Sequence, residues 1–265
     1  MKNTLFWIIA FIITISSAVY QRMTGPTYPV RGEVVMGDDV IKYKLRRTHG
    51  GDDDHRVKIE VERDDINGSV VYRRFKTTDE WQSIAMQRDG AYLYADLPHQ
   101  PPAGKLEYKV TLVHENTEAS LSGDESVVIR FKGGVPGAIL IPHIFIMFAA
   151  MFVSNRAGIE ALRPGSNPRK LALWATGLVL VGGLILGPLV QKYAFGALWT
   201  GFPFGHDLTD NKTLIAAIGW ISAVIAGRGG KPARWWVLGA AVLLLVIYLI
   251  PHSLMGSELD YSKME

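Results

Sequence analysis

The sequence LALWATGLVLVGGLILGPLV, residues 171–190, contains no charged residue in 20 consecutive positions. A helix needs roughly 20 mostly apolar residues to cross the hydrocarbon core of a bilayer, where it must satisfy its own backbone hydrogen bonds. The eight residues before it, RPGSNPRK, are polar and basic. This pair of segments therefore predicts a transmembrane helix that follows a short loop.

Four further apolar runs have the composition of membrane helices. They are Thr4–Tyr20, Pro136–Ser154, Thr213–Gly227 and Trp235–Ile250. The run that starts at Thr213 is short for a span, and we expect its helix to begin a few residues earlier. Together with residues 171–190, these runs predict one N-terminal helix plus a four-helix transmembrane bundle.

The basic residues of the short joints predict the orientation of this bundle. One joint carries Arg156, Arg163, Arg169 and Lys170 against the single acid Glu160, and the other carries Arg228, Lys231 and Arg234 with no acid. Loops rich in lysine and arginine stay in the cytoplasm. By alternation, we expect residues 21–135, the loop 191–212 and the tail from His252 to lie outside the cytoplasm.

The first apolar run has two interpretations. We favour a retained membrane anchor over residues 1–22. Lys2, the apolar stretch and Ser16-Ser17-Ala18 are also typical of a cleavable signal peptide. Both interpretations deliver the following domain to the outside.

The composition mixes two kinds of chain. The 265 residues carry 48% hydrophobic and 20% charged side chains, and most of the charges fall between the first and second apolar runs. The net charge of +3 is too small to indicate nucleic acid as a partner. Cysteine is absent, which excludes disulfides, thiolate metal sites and a cysteine nucleophile.

From about Val30 to Phe131 the pattern changes to the period of two that is typical of strands. It occurs at Val57–Val61, Ser69–Phe75, Ala91–Leu97, Leu106–Leu112 and Ser126–Phe131. Turn residues separate these segments at Asn67-Gly68, Asp89-Gly90, Pro101-Pro102-Ala103-Gly104 and Ser122-Gly123-Asp124. About seven short strands in roughly 100 residues predict an antiparallel all-β sandwich. We expect Tyr72, Trp81, Tyr94 and Tyr108 in its core or at the core edge.

The segment Leu97-Pro98-His99-Gln100-Pro101-Pro102-Ala103-Gly104-Lys105-Leu106-Glu107-Tyr108 resembles the strand–turn–strand of fibronectin-III or immunoglobulin-like modules. Such modules commonly bind other proteins or act as spacers, so the resemblance implies a binding or spacing role for this domain. It transfers no functional residue. The predicted domains are an anchor at 1–22, an extracytoplasmic sandwich at 23–133, a transmembrane domain at 134–252 and an extracytoplasmic tail at 253–265.

Polar residues concentrate where the outer loop 191–212 meets the fourth membrane helix. Asp207-Leu208-Thr209-Asp210-Asn211 suits the N-terminus of that helix, where acids and capping side chains are favoured. Capping explains one or two of these residues. It does not explain why His206 and Lys212 flank them.

Two further histidines are predicted at the same outer level. His143 lies a few residues into the second helix and His252 follows the fifth, each after an Ile-Pro dipeptide, and Glu258 follows in the tail. Ionisable groups within a membrane usually mark a ligand, a pathway or a paired site. We therefore predict His143 and His252 as cofactor ligands, and His206, Asp207, Asp210 and Glu258 as metal ligands. Haem b or a transition metal would suit this set.

Other conspicuous residues have simpler explanations. We interpret Asp52-Asp53-Asp54-His55 as a solvated loop, because calcium loops alternate their ligands around a glycine. We expect His49, His99 and His114 to be exposed. Gly182 and Gly183 belong to a small-residue face that suits helix packing.

Two functions follow from these observations. The first is a multi-pass envelope protein, in a bacterial inner membrane, that presents its sandwich to another envelope protein or to a complex. The second is a haem- or metal-binding redox module with its site at the outer face of the bundle. A transporter is less favoured, since Thr176 and Ser222 are too few to line a pathway. A hydrolase would rest on Ser253 beside His252 alone, so an enzyme is the less favoured class.

Overall fold

The computed structural model describes residues 2–231, 233–251, 254, 256 and 258–263, with the side chains of Lys2 and Lys263 left out. The chain forms two compact units. The helical unit comprises Met1–Pro26 and Val135–Ser257, and the β unit comprises Thr27–Gly134 and Glu258–Glu265. The predicted cofactor ligand His252 lies outside the described residues, as does Ser253.

The helical unit begins with α1 and continues after the β unit. Its elements are α1 (Lys2–Thr24), α2 (Gly137–Leu162), α3 (Arg169–Val179), a π-helical segment (Leu180–Leu186), α4 (Gly187–Phe195), α5 (Leu208–Ala226) and α6 (Arg234–Leu249). Among the described residues, three helical stretches are long and apolar enough to cross a membrane: Asn3–Thr24, Gly137–Leu162 and Arg169–Phe195. α6 is apolar but shorter. These lengths are compatible with an integral membrane protein.

α2 is longer than the sequence predicts. The apolar run ends at Ser154, but the helix continues to Leu162 and ends just before Pro164-Gly165. No helix-breaking residue occurs earlier in that stretch, and Gly165 adopts a positive φ of 72° that favours glycine. Arg156 is therefore a buried helical residue rather than part of a loop.

The third apolar run is one helical stretch that widens in its middle. Leu180–Leu186 is π-helical and lies between α3 and α4. Pro188 is the second residue of α4, and its ring lacks the N–H that would bond to the carbonyl four residues earlier. The wider turn accommodates that loss. A methyl group built on Gly182 would lie 2.7 Å from Met147 Sδ, and one on Gly183 would lie 2.7 Å from Thr213 Cγ2, so these two glycines allow close helix packing.

The β unit contains strands at every position where the sequence predicts one. They are β1 (Val30–Met36), β2 (Asp39–Leu45), β3 (Thr48–Gly50), β4 (His55–Glu60), β5 (Ile66–Arg74), β6 (Gln82–Ala85), β7 (Gln87–Asp89), β8 (Tyr92–Leu97), β9 (Lys105–His114), β10 (Thr117–Ser120) and β11 (Val127–Lys132). β1 and β2 form a hairpin, and β4, β8 and β7 form a three-stranded sheet. The largest sheet has the order β3-β11-β9-β5-β6, with β10 also paired to β9. The β3–β11 pair is parallel and the other pairs are antiparallel.

One hydrophobic core joins these sheets. Its buried side chains come from all three sheets, for example Met36 and Ile41 of the hairpin, Ile59 of β4, and Tyr108 and Val110 of β9. A core of this kind lets the β unit fold without disulfides, since burial of apolar surface is the main driving force.

One predicted turn and one predicted core residue of the β unit are wrong. Asn67-Gly68 is not a turn, because both residues pair with β9 inside β5. A methyl group on Gly68 would lie 2.9 Å from Met86 Sδ and 3.0 Å from Leu112 Cδ2, so the glycine permits a close approach within the sheet. Trp81 is not a core residue, because it remains 39% exposed with the Arg73 guanidinium 4.6 Å from its ring centre.

The end of the chain packs within the β unit. Tyr261 is buried, and its hydroxyl accepts a hydrogen bond from the Lys105 backbone N–H at 2.9 Å. The Leu259 backbone N–H donates to the Ala103 carbonyl at 3.2 Å. The tail therefore stabilises the start of β9 and the turn before it.

Candidate functional site

Asp210 is the buried centre of the polar segment that the sequence singles out. Its Oδ2 atom accepts hydrogen bonds from the backbone N–H of Thr200 at 2.7 Å and of Gly201 at 3.0 Å. The Gln191 side-chain amide donates to the same oxygen at 3.0 Å. The carboxylate thus fastens the loop after α4 to the first turn of α5. This arrangement gives Asp210 a structural role.

The flanking residues also contact helix ends. Asp207 is the N-cap of α5, and its Oδ1 accepts from the Thr209 N–H at 2.8 Å. Lys212 is buried, and its Nζ donates to the Ile250 carbonyl at the end of α6 at 2.8 Å. A cation at a helix C-terminus is favourable, because the last carbonyls have no partner within the helix. Lys212 thereby links α5 to the end of α6.

Two of the three predicted histidine ligands of the helical unit lie among the described residues, and they have different surroundings. His206 is exposed in the loop before α5. His143 is half-buried in α2, and its Nδ1 lies 3.0 Å from the Gly182 carbonyl in the π-helical segment. A carbonyl oxygen only accepts, so Nδ1 carries the proton and Nε2 keeps the lone pair. The π-helical segment and His143 are therefore linked by one hydrogen bond, to the Gly182 carbonyl.

Glu258 belongs to the β unit rather than to the unit of the other predicted ligands. Its carboxylate contacts Lys76 Nζ at 2.8 Å and also pairs with Lys105. Burial raises the pKa of Glu258, but hydrogen bonds from Lys105 and Lys76 outweigh it and lower the pKa overall. Glu258 therefore acts as an ion-pair partner of the docked tail.

The described residues contain no group of three or more histidine, cysteine, aspartate or glutamate side chains placed to hold a metal ion. Since His252 lies outside those residues, the haem or metal site at the outer face of the bundle stays a prediction.

A histidine pair in the β unit was missed by the sequence interpretation. His55 Nδ1 lies 3.3 Å from His49 Nδ1, with the ring centres 5.1 Å apart. His49 Nε2 lies 2.9 Å from the Asp53 carbonyl and 3.3 Å from its carboxylate. Burial, with smaller contributions from His49 and Arg46, lowers the pKa of His55 to about 4, so this imidazole is neutral at pH 7.

The expectation that His49, His99 and His114 are exposed is wrong. His114 is buried, and the other two are half-buried. The rings of His49 and His99 pack edge-on against Phe131, with centres 5.5 and 5.7 Å from it. His99 Nδ1 is buried without a hydrogen-bond partner among the described residues. The rings of His49 and His99 therefore pack against the same phenylalanine, and the ring of His55 lies beside that of His49. These three residues form what we call the histidine corner of the β unit.

His55 also corrects the interpretation of Asp52–His55 as a solvated loop. His55 is the first residue of β4, whose burial alternates so that His55, Val57 and Ile59 all face inward. The alternation was visible in the sequence, and extending it two residues back from Val57 would have placed His55 in the interior.

This corner opens into a groove of the β unit with a volume of about 1040 Å³. The groove lies between the β1–β2 hairpin and β4. Six basic residues line it: Arg31, Lys42, Lys44, Arg46, Arg56 and Lys58. Four acids line it as well: Glu33, Asp53, Asp54 and Glu60. The groove therefore has a surplus of positive charge.

Comparison of the chain with protein-family models, with curated proteins and with solved structures finds no match. The class of protein is defined by the structure alone: a helical unit with membrane-length apolar helices, combined with a β unit built on its own core.

Proposed function

We propose that this chain is a multi-pass membrane protein of a bacterial envelope that holds its β unit outside the cytoplasm to bind an acidic segment of another envelope protein. The observation that carries the proposal is the basic groove of the β unit. The remaining support comes from the packing of the helices and from the path of the tail.

The packing of the helical unit supports its insertion in lipid. Its buried contacts consist largely of small residues, which let helices approach closely in membranes. They include Ala150, Ala157, Ala161, Ala172, Ala175, Ala216, Ala217, Ala223, Ala240 and Ala241. Large apolar side chains face outward instead, among them Phe145, Trp174, Ile185, Ile218, Trp235 and Val246. An exposed apolar surface of this extent is unfavourable in water and favourable in lipid.

The path of the tail supports the predicted topology. The chain leaves the β unit after Gly134 and re-enters it at Glu258. Both points must lie on the same side of the membrane, so residues 135–257 cross it an even number of times. α2 and the α3–α4 stretch supply two crossings. If α6 crosses, then α5 must cross as well, which gives the predicted four-helix bundle.

The chemistry of the groove indicates the partner. Lys42, Lys44 and Arg46 are exposed and alternate along β2 and the residue after it, so their charges line one side of the groove. Tyr43 and Tyr92 also line it. Arginine and tyrosine are enriched in protein interfaces, and charge complementarity governs the rate and specificity of association. An extended acidic segment fits this surface.

Site-specific crosslinking in intact cells tests the proposal. A photo-crosslinking residue at Lys44 should capture one partner, and the same residue at Glu118 on β10 should not capture it. Lys42→Glu combined with Arg46→Glu should abolish the crosslink, while Lys109→Glu on β9 should leave it. Charge reversal in the partner's acidic segment should then restore it. Equal capture at both positions, or capture that survives the double reversal, would refute the groove as the docking site.

The haem or metal module remains a second candidate because of the geometry at His143. A ligating histidine usually donates its other ring N–H to a carbonyl or carboxylate, and His143 Nδ1 makes such a bond to Gly182. Its Nε2 would then hold the iron or metal. The absorption spectrum of the purified chain tests this, since a Soret band lost in His143→Ala would support it. A colourless, metal-free preparation would exclude it.

A further inference from the structure

The histidine corner of the β unit has the geometry of a metal site. In a tetrahedral site with metal–nitrogen bonds of 2.0–2.1 Å, two ligand nitrogens lie about 3.3 Å apart. The Nδ1 atoms of His49 and His55 are separated by 3.3 Å. We propose that these two atoms bind one divalent transition-metal ion, Zn²⁺ or Cu²⁺, a function beyond partner binding, at residues that also line the groove.

The protonation of His49 suits this role. Its Nε2 lies 2.9 Å from the Asp53 carbonyl, which can only accept, so Nε2 carries the proton. In the neutral tautomer with this proton, the lone pair lies on Nδ1, the atom that faces His55. The Asp53 carboxylate at 3.3 Å from Nε2 adds the outer contact that orients a ligating imidazole and increases its basicity.

The position of His55 limits its movement. It is only 3% exposed and begins β4, which pairs with β8 along its length. Its ring is therefore held in place before any ion binds, which lowers the entropic cost of coordination. Imidazole nitrogen selects Zn²⁺ or Cu²⁺ over Mg²⁺ or Ca²⁺, which prefer oxygen.

His99 belongs to this corner and is not one of the two proposed ligands. Its buried Nδ1 has no hydrogen-bond partner among the described residues, although a buried polar atom without a partner is costly. Its ring packs on the same Phe131 as that of His49. Because His49 and His55 line the groove, the remaining coordination positions would be open to water.

Metal titration of the full chain tests the site. The protein is purified through a histidine-free tag, placed in nanodiscs and titrated by calorimetry with Zn²⁺ or Cu²⁺, with Mg²⁺ as a control. We expect one Zn²⁺ or Cu²⁺ ion per chain and no Mg²⁺ binding. His49→Ala should weaken binding at least 10-fold, and Asp53→Ala should weaken it less, in line with the effect of outer-shell changes.

Two further measurements separate this site from its alternatives. His206→Ala, an exposed histidine of the helical unit, should leave the affinity unchanged. Electron paramagnetic resonance of the bound Cu²⁺ should show coupling to two imidazole nitrogens in the wild type and the loss of that signal in His49→Ala. Unchanged binding in His49→Ala, loss of binding in His206→Ala, or absence of Zn²⁺ and Cu²⁺ binding would each overturn the proposal. Circular dichroism of His49→Ala confirms that the variant is folded.

Discussion

Replacement of Asp210 tests whether its carboxylate stabilises the structure or binds a ligand. Asp210→Ala removes the acceptor of two backbone donors, Thr200 N–H and Gly201 N–H. Each buried donor left without a partner costs about 1–3 kcal/mol, so we expect local destabilisation of about 2–6 kcal/mol. The Gln191 side chain loses only one of its hydrogen bonds, since its amide also donates to the Thr200 hydroxyl at 2.6 Å. Asp210→Asn keeps one acceptor oxygen and should cost about 1–2 kcal/mol through the loss of charge.

The absence of cysteine makes the measurement direct, because a single introduced thiol has no background. Ala194 is buried in the last turn of α4, so Ala194→Cys reacts with a thiol reagent only when this region opens. When the region closes faster than the thiol is labelled, the labelling rate is proportional to the equilibrium constant for opening. A loss of about 1.4 kcal/mol in the free energy of opening then raises the labelling rate about tenfold. Asp210→Ala should accelerate labelling at least about 30-fold, and Asp210→Asn about 10-fold.

Asp207→Asn is the matched control, because it makes the same change from acid to amide in the same segment. Asparagine caps a helix about as well as aspartate, so labelling should stay within about twofold. A rate for Asp210→Ala within threefold of the parent would refute the structural role of this carboxylate. The polar segment would then need a ligand or a transported ion to explain it.

Three other predictions use different parts of the chain. Gly183→Ala should lower the free energy of unfolding in nanodiscs, followed by thermal denaturation, by about 1–3 kcal/mol through overpacking. Gly177→Ala should not, because the added methyl group would have no atom within 4 Å. Hydroxyl-radical footprinting should find Tyr261 protected above about pH 4.5 and increasingly reactive below it. The reason is that the folded pKa of Glu258 is lowered, so its stabilisation is lost as the pH falls from about 4.5 through the folded pKa. Protection of Tyr261 that shows no dependence on pH in a folded β unit would contradict this. The intact mass of the membrane-purified protein should include residues 1–22, and a mature chain that starts after Ala18 would contradict retention of α1.

The prediction for α1 rests on polar contacts that a cleaved signal peptide would not require. Asn155 of α2 donates to the Thr14 hydroxyl at 2.9 Å, and Arg156 donates to the Asn3 side chain at 2.6 Å. Near the other end of α1, Gln21 donates to the Tyr248 carbonyl of α6 at 2.8 Å. Interhelical hydrogen bonds in membranes contribute about 0.6–2 kcal/mol each. Loss of residues 1–22 would leave Asn155 and Arg156 without these partners inside the helical unit.

Sequence patterns predicted the elements well and the polar clusters poorly. The apolar runs and the alternation at Val57–Val61 report local periodicity, which a single chain segment determines by itself. The partners of Asp210 lie 9 to 19 residues away, and no local pattern records which donors a loop will bring to a carboxylate. The sequence therefore identified the right segment but could not distinguish a fastened loop from a ligand site.

The prediction of one shared site failed to anticipate the tail for a similar reason. Glu258 was placed with the outer-face residues because it follows the last apolar helix closely. Its actual partners, Lys76 and Lys105, come from segments more than 150 residues earlier in the chain. Long-range ion pairs of this kind depend on the folded surface of the β unit, which the sequence alone does not supply.

The folding of the β unit also creates the proposed metal site from two histidines that the sequence does not single out. His49 and His55 are six residues apart, a spacing that matches no standard metal motif. They meet because β3 pairs with β11 while β4 pairs with β8, so two strands of different sheets bring their side chains together, with the His49 ring packed against Phe131. A hydrogen bond between the Nδ1 atoms of two neutral rings fits the same 3.3 Å separation and needs no ion. The metal titration therefore distinguishes a ligand site from a packing arrangement that happens to involve three histidines.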